Sequence, residues 1–96
     1  MKLDTPAQSV NPHLLLTKAG YHAHPQGSYV MRLGSGHYPR FHVYVKTNKN
    51  KLTFNLHIDQ KPGVHLGAKA HAGESDTPVV QEEAARLQRW IKYFTR

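Results

Sequence analysis

The alternation of apolar and polar residues is clearest between Arg40 and Asp59. Phe41, Val43 and Val45 alternate with Arg40, His42, Tyr44 and Lys46, and beyond a short break Leu52, Phe54, Leu56 and Ile58 alternate with Thr53, Asn55, His57 and Asp59. A period of two sustained over runs this long predicts strands with one face on a core and the other turned away from it. The break, Thr47-Asn48-Lys49-Asn50-Lys51, reads as a hairpin loop, and Ser28–Leu33 as an earlier strand with Tyr29, Met31 and Leu33 facing inward. Gly34–Pro39 is the turn after it.

The period lengthens towards the two ends. Asn11 followed by Pro12 predicts a helix start, with Asn as N-cap and Pro at N1, where its missing N–H costs nothing. Val10 and Leu15 are spaced as a hydrophobic staple, Leu15, Leu16 and Ala19 form an apolar face, and Gly20 ends the helix. Thr77-Pro78 repeats the start signal, and Val80, Ala84, Leu87, Ile91 and Phe94 follow at three- and four-residue steps. Glu82 and Glu83 near its start and Arg89, Lys92 and Arg96 near its end suit the helix dipole.

The chain therefore predicts an α+β domain over residues 11–96, in the order α-β-β-β-α. Helices are expected near 12–19 and 78–95, and strands near 28–34, 40–47 and 51–59. Residues 1–10 are expected as a flexible tail, Tyr21–Gly27 as a turn-rich link and 60–77 as a long loop. The economical packing is a three-stranded antiparallel sheet with both helices on its apolar face. The expected core is Leu15, Leu16, Met31, Phe41, Val43, Val45, Phe54, Leu56, Ile58, Val80, Leu87 and Ile91.

Composition narrows the setting. At 96 residues the chain is one domain. It has no cysteine, which excludes disulfides and thiolate metal sites. No secretory h-region and no run of about 18 apolar residues is visible, so a cytoplasmic protein without membrane contact is expected. The formal net charge is +7, of which +5 falls within residues 28–61, where Arg32, Arg40, Lys46, Lys49, Lys51 and Lys61 face only Asp59. A basic surface of this kind favours a polyanion, RNA in preference to DNA. Arg40, His42, Tyr44, Lys46, Lys49, Lys51 and Lys61 are the expected contacts, together with Arg86 and Arg89 on the polar face of the last helix. Oligomeric state is open.

The chemistry concentrates at Leu56-His57-Ile58-Asp59-Gln60-Lys61 and in the loop beyond, which adds His65, Lys69, His71, Glu74 and Asp76. If the hairpin loop is the four residues Asn48–Lys51, Thr47 pairs with Leu52, His42 with His57 and Arg40 with Asp59; a two-residue loop would place Arg40 opposite His57 instead. Imidazoles gathered beside a carboxylate support two uses. In one, His57 is a base oriented by Asp59 and His71 an acid, for phosphodiester cleavage, with Lys61 or Lys69 stabilising the added negative charge. In the other, His57, Asp59, His65 and His71 hold a divalent metal such as zinc in an open, hydrolytic type of site. Neither spacing is a signature, and a protein-interaction module without catalysis or cofactor is the third reading.

The α-β-β-β-α order, with Gly36-His37-Tyr38-Pro39-Arg40-Phe41-His42-Val43-Tyr44-Val45, resembles double-stranded-RNA-binding domains at the entry to their second strand. Thr77-Pro78-Val79-Val80-Gln81-Glu82-Glu83 stands where that family carries paired lysines, a departure from duplex binding of the usual kind. Ala19-Gly20-Tyr21 and Gly34-Ser35-Gly36-His37 resemble HicA-type messenger-RNA interferases, a likeness that implies a role for His37. Phe41–Val45 with the LHIDQK and HAGES stretches also looks like small bacterial proteins that carry no assigned activity.

Overall fold

The computed structural model describes residues 1–60 and 77–95. Among the described residues, five strands and two helices follow in the order β1 (Lys2–Pro6), α1 (Pro12–Lys18), β2 (His22–His24), β3 (Ser28–Arg32), β4 (Arg40–Thr47), β5 (Lys51–Asp59) and α2 (Pro78–Thr95). The α+β class stands, but the sheet has five strands rather than three. Its order is β1-β5-β4-β3-β2, with every neighbouring pair antiparallel.

The two added strands correct the expected tail and the expected link. β1 lies along β5, with Leu3 opposite Phe54 and Thr5 opposite Leu52, and Met1 extends the ladder through its carbonyl, which accepts from Leu56 N–H at 2.7 Å. β2 pairs His22–His24 with β3. Both are short edge strands, a form that limits exposed backbone hydrogen-bonding groups at a sheet margin. Too few inward residues lie on either to set up a period.

Both helix starts form as their sequences predict. Leu14 N–H donates to the Asn11 side chain at 3.1 Å, and Val80 N–H to Thr77 Oγ1 at 3.3 Å. At the end of α1, Gly20 N–H donates to Thr17 O and Tyr21 N–H to Leu16 O, the two bonds of a Schellman cap. Gly20 sits at φ +106°, which only glycine adopts without strain, and a Cβ there would meet Met31 Sδ at 3.1 Å.

The core lies between one sheet face and the two helices. Phe41 and Val43 of β4 and Leu52, Phe54, Leu56 and Ile58 of β5 pack with Leu15, Leu16, Val80, Ala84, Leu87 and Ile91. Met31 and Val45, expected inside, are half-buried at its margin. Tyr21, expected in the link, is buried within it.

A polar network is built into this core. The Tyr21 hydroxyl donates to Glu83 Oε2 at 2.6 Å, and Arg86 donates to Glu83 through Nε at 2.8 Å and Nη2 at 2.9 Å. Arg86 Nη2 also donates to Ala19 O at 2.8 Å, tying α2 to the end of α1. Burial, reinforced by the neighbouring Glu83 carboxylate, pushes the Tyr21 hydroxyl far above its ordinary range. Hydrogen bonding to Glu83 raises Arg86. Arg86, expected as a nucleic-acid contact, is a partner of this buried carboxylate.

Candidate functional site

The register of β4 on β5 decides what the other sheet face carries. Thr47 pairs with Leu52, so His42 stands opposite His57 and Arg40 opposite Asp59. The two flanking pairings, Val30 with His42 and His22 with Val30, bring β3 and β2 onto the same plane. With alternation fixed in each strand, Lys2, Asp4, His22, His24, Arg32, Arg40, His42, Tyr44, Lys46, Thr53, Asn55, His57 and Asp59 share the face turned away from the core.

Asp59 is the centre of this face. Its Oδ2 accepts from Arg40 Nε at 3.2 Å and from His42 Nδ1 at 2.7 Å, and its Oδ1 lies 3.6 Å from His57 Nε2. Arg40 is also held over the Tyr38 ring, 4.6 Å from its centroid. Four rings gather beside the carboxylate. His42 stacks on Tyr44 with centroids 4.4 Å apart, and Tyr44 stacks on His57 at 5.2 Å. The His24 ring meets His42 edge-on at 5.5 Å. Enclosed by these rings, His42 is only 6% exposed although it belongs to the polar face, and its Nε2 is buried without a hydrogen-bond partner among the described residues.

Tyr44 links this cluster to a basic depression. A cavity of about 330 Å³ is lined by Lys2, Asp4, Tyr44, Lys46, Asn48, Lys51, Thr53 and Asn55. Asp4 is engaged there by Thr53 Oγ1 at 2.7 Å and by Lys51 Nζ at 3.7 Å. Lys2 and Lys46 add two further cations. The face therefore joins an exposed aromatic ring, three amines and an imidazole–carboxylate cluster.

Arg40, His42, Tyr44, Lys46, His57 and Asp59 thus converge. Lys61, His65, Lys69, His71, Glu74 and Asp76 lie outside the described residues, so the expected His57–His71 pair and the expected four-ligand metal set do too. Arg89 stands elsewhere, on the helical side, in a cavity of about 500 Å³ with Lys18, Arg86, Trp90, Tyr93 and Phe94. His37 is exposed in the turn between β3 and β4. Lys51 was among the expected contacts; Lys2 was not, because β1 is not visible as a strand. His24, within the expected turn-rich link, covers His42. No family model, no curated protein and no solved structure matches the chain.

Proposed function

We propose that this protein binds single-stranded nucleic acid, RNA in preference to DNA, across the polar face of its sheet. Tyr44 carries the reading. The residue is 41% exposed, its ring lies within 21° of the planes of both His42 and His57, and it borders the cavity that Lys2, Lys46 and Lys51 line. An aromatic ring that accepts a base, beside cations that accept phosphates, is the composition of a sequence-tolerant single-strand site. Stacking on a protein ring needs an unpaired base, which the loops and ends of RNA supply. Arg40 adds guanidinium donors at the other end of the ring cluster. The helical cavity around Arg89 and Trp90 is also basic and aromatic, but Arg86 there is committed to Glu83 and Ala19.

The test is fluorescence polarisation with labelled single-stranded RNA and DNA at about 50 mM salt, where phosphate contacts are strong. Tyr44→Ala is expected to lose about 1–3 kcal/mol, the worth of one stacked base. Lys46→Gln and Lys51→Gln should each reduce the log–log salt slope by about 0.7, the single-strand value for one contact. Arg89→Gln should bind as wild type. Absence of binding, or full affinity in Tyr44→Ala, defeats the proposal. The same incubations report on cleavage. Strand scission that His57→Ala abolishes while affinity persists would make the face a histidine-dependent nuclease; binding without scission makes it a binding module.

A further inference from the structure

Asp59 draws two imidazoles onto one carboxylate. His42 Nδ1 lies 2.7 Å from Oδ2, and since a carboxylate only accepts, Nδ1 carries the proton of that bond. The two nitrogens of an imidazole point in diverging directions, so Nε2 faces away from Asp59. Nδ1 is therefore the nitrogen that an ion could share with Asp59, in place of the proton it now donates.

Spacing supplies a second, independent observation. His57 Nε2 and Asp59 Oδ1 are 3.6 Å apart, too far for a hydrogen bond. Two ligands of one tetrahedral ion, each bonded at 2.0–2.1 Å, stand about 3.3 Å apart. One ring nitrogen from each of His42 and His57 and a carboxylate oxygen of Asp59 all lie within 4.8 Å of one another. The backbone explains the convergence: His57 and Asp59 are two residues apart on β5, and His42 is the cross-strand partner of His57. All three project from the same sheet face.

We infer that His42, His57 and Asp59 form a two-histidine, one-carboxylate site for a divalent transition ion of the zinc class. Two imidazoles select against magnesium and calcium, which take oxygen ligands, and the absence of cysteine selects against soft monovalent copper. Three protein ligands leave a tetrahedral ion one position for water or a ligand. Arg40, which holds Oδ2 at 3.2 Å, is a positioning residue that keeps the carboxylate turned with Oδ1 towards His57. His65 and His71 are not needed for this site. It shares a face with the proposed nucleic-acid contact but stands without it.

The test uses the full chain free of affinity-tag histidines, stripped by chelator and titrated in the absence of nucleic acid. Zinc binding is followed by calorimetry and cobalt binding by visible absorption. One equivalent of zinc at roughly micromolar Kd or tighter is expected. His57→Ala and Asp59→Asn should each weaken binding by about 100-fold or more, and Arg40→Ala by about 10–100-fold, the range of a lost outer-shell partner. His13→Ala and His22→Ala should bind as wild type. Far-UV circular dichroism shows that each variant is folded, and His42→Gln replaces the alanine variant at the buried position. Zinc binding absent at about 100 µM, or an equivalent retained by folded His57→Ala, overturns the site; the latter result would assign the ion to the remaining histidines. Failure here leaves the nucleic-acid reading standing, because no nucleic acid enters the titration.

Discussion

Glu83→Ala should be among the most destabilising substitutions in this protein. The residue is 5% exposed and accepts from both Tyr21 and Arg86. Removing the carboxylate leaves the Tyr21 hydroxyl, in a side chain 2% exposed, without its acceptor, at a cost of about 1–3 kcal/mol. The Arg86 side chain is 31% exposed and still donates to Ala19 O, so it partly rehydrates; its share is about 1 kcal/mol or less. Together these give roughly 3 kcal/mol, a fall in Tm of roughly 12–24 °C for a domain of this size. Glu83→Gln keeps an acceptor for Tyr21 and should cost about half as much. In the Tyr21→Phe background no hydroxyl is orphaned, so the double mutant should be less destabilised than the sum of the single changes by about 1–2 kcal/mol. Denaturant melts of the four proteins measure this. A cost below about 0.5 kcal/mol for Glu83→Ala, within the range of an ordinary surface change, or strict additivity would refute the reasoning. The same network fixes a pH dependence. Folding raises the Tyr21 hydroxyl above its usual value of 10.0, so its stabilisation is complete below pH 10 and is lost as pH rises from there towards the folded value. Between pH 10 and 11 wild type should lose about 1 kcal/mol more than Tyr21→Phe, since the unfolded chain increasingly releases a proton that the folded one keeps.

Two further substitutions test the local structure. Gly20→Ala places a side chain at φ +106° and its Cβ 3.1 Å from Met31 Sδ, and should cost about 1–3 kcal/mol in a urea melt, with Met31→Ala relieving the steric part only. Asn11→Ala removes the acceptor for Leu14 N–H and should cost about 1 kcal/mol, whereas Asn11→Ser should stay within a few tenths.

What could be read from the sequence is what repeats locally. β4 and β5 announce themselves through a period of two, and both helices through a cap followed by proline. β1 is invisible because its support comes from a partner about fifty residues away, and because Leu3 is its only large inward side chain. β2 has one residue on the core side of the sheet, Ala23, and it is exposed. The Tyr21–Glu83 bond spans 62 positions, and a glutamate at a helix start is elsewhere a solvated residue. His42 shows the same limit at the site. Its place on the polar face follows from alternation, but its burial depends on three rings from three strands, and one of them, His24, stands on a strand that gives no signal.

The two readings of the hairpin loop show how the core and the site are coupled. Both registers keep every apolar residue on the core face, since they differ by two positions, so burial parity cannot choose between them. They differ in their pairs. The two-residue loop would set Ile58 opposite Pro39, which has no N–H for the ladder, and would leave Asp59 beyond the end of β4, away from Arg40. The observed register pairs Ile58 with Phe41, Leu56 with Val43 and Phe54 with Val45, and Asn48 N–H donates to Lys51 O at 2.8 Å to close the loop. Arg40 and His42 then meet Asp59. The same choice that completes the apolar ladder therefore assembles the imidazole–carboxylate cluster. Deleting Lys49 and Asn50 leaves a two-residue turn between Thr47 and Leu52 and should preserve this register, with His42 still opposite His57. Such a variant is expected to fold and to keep zinc binding; a folded variant that loses it would show that the register alone does not assemble the cluster.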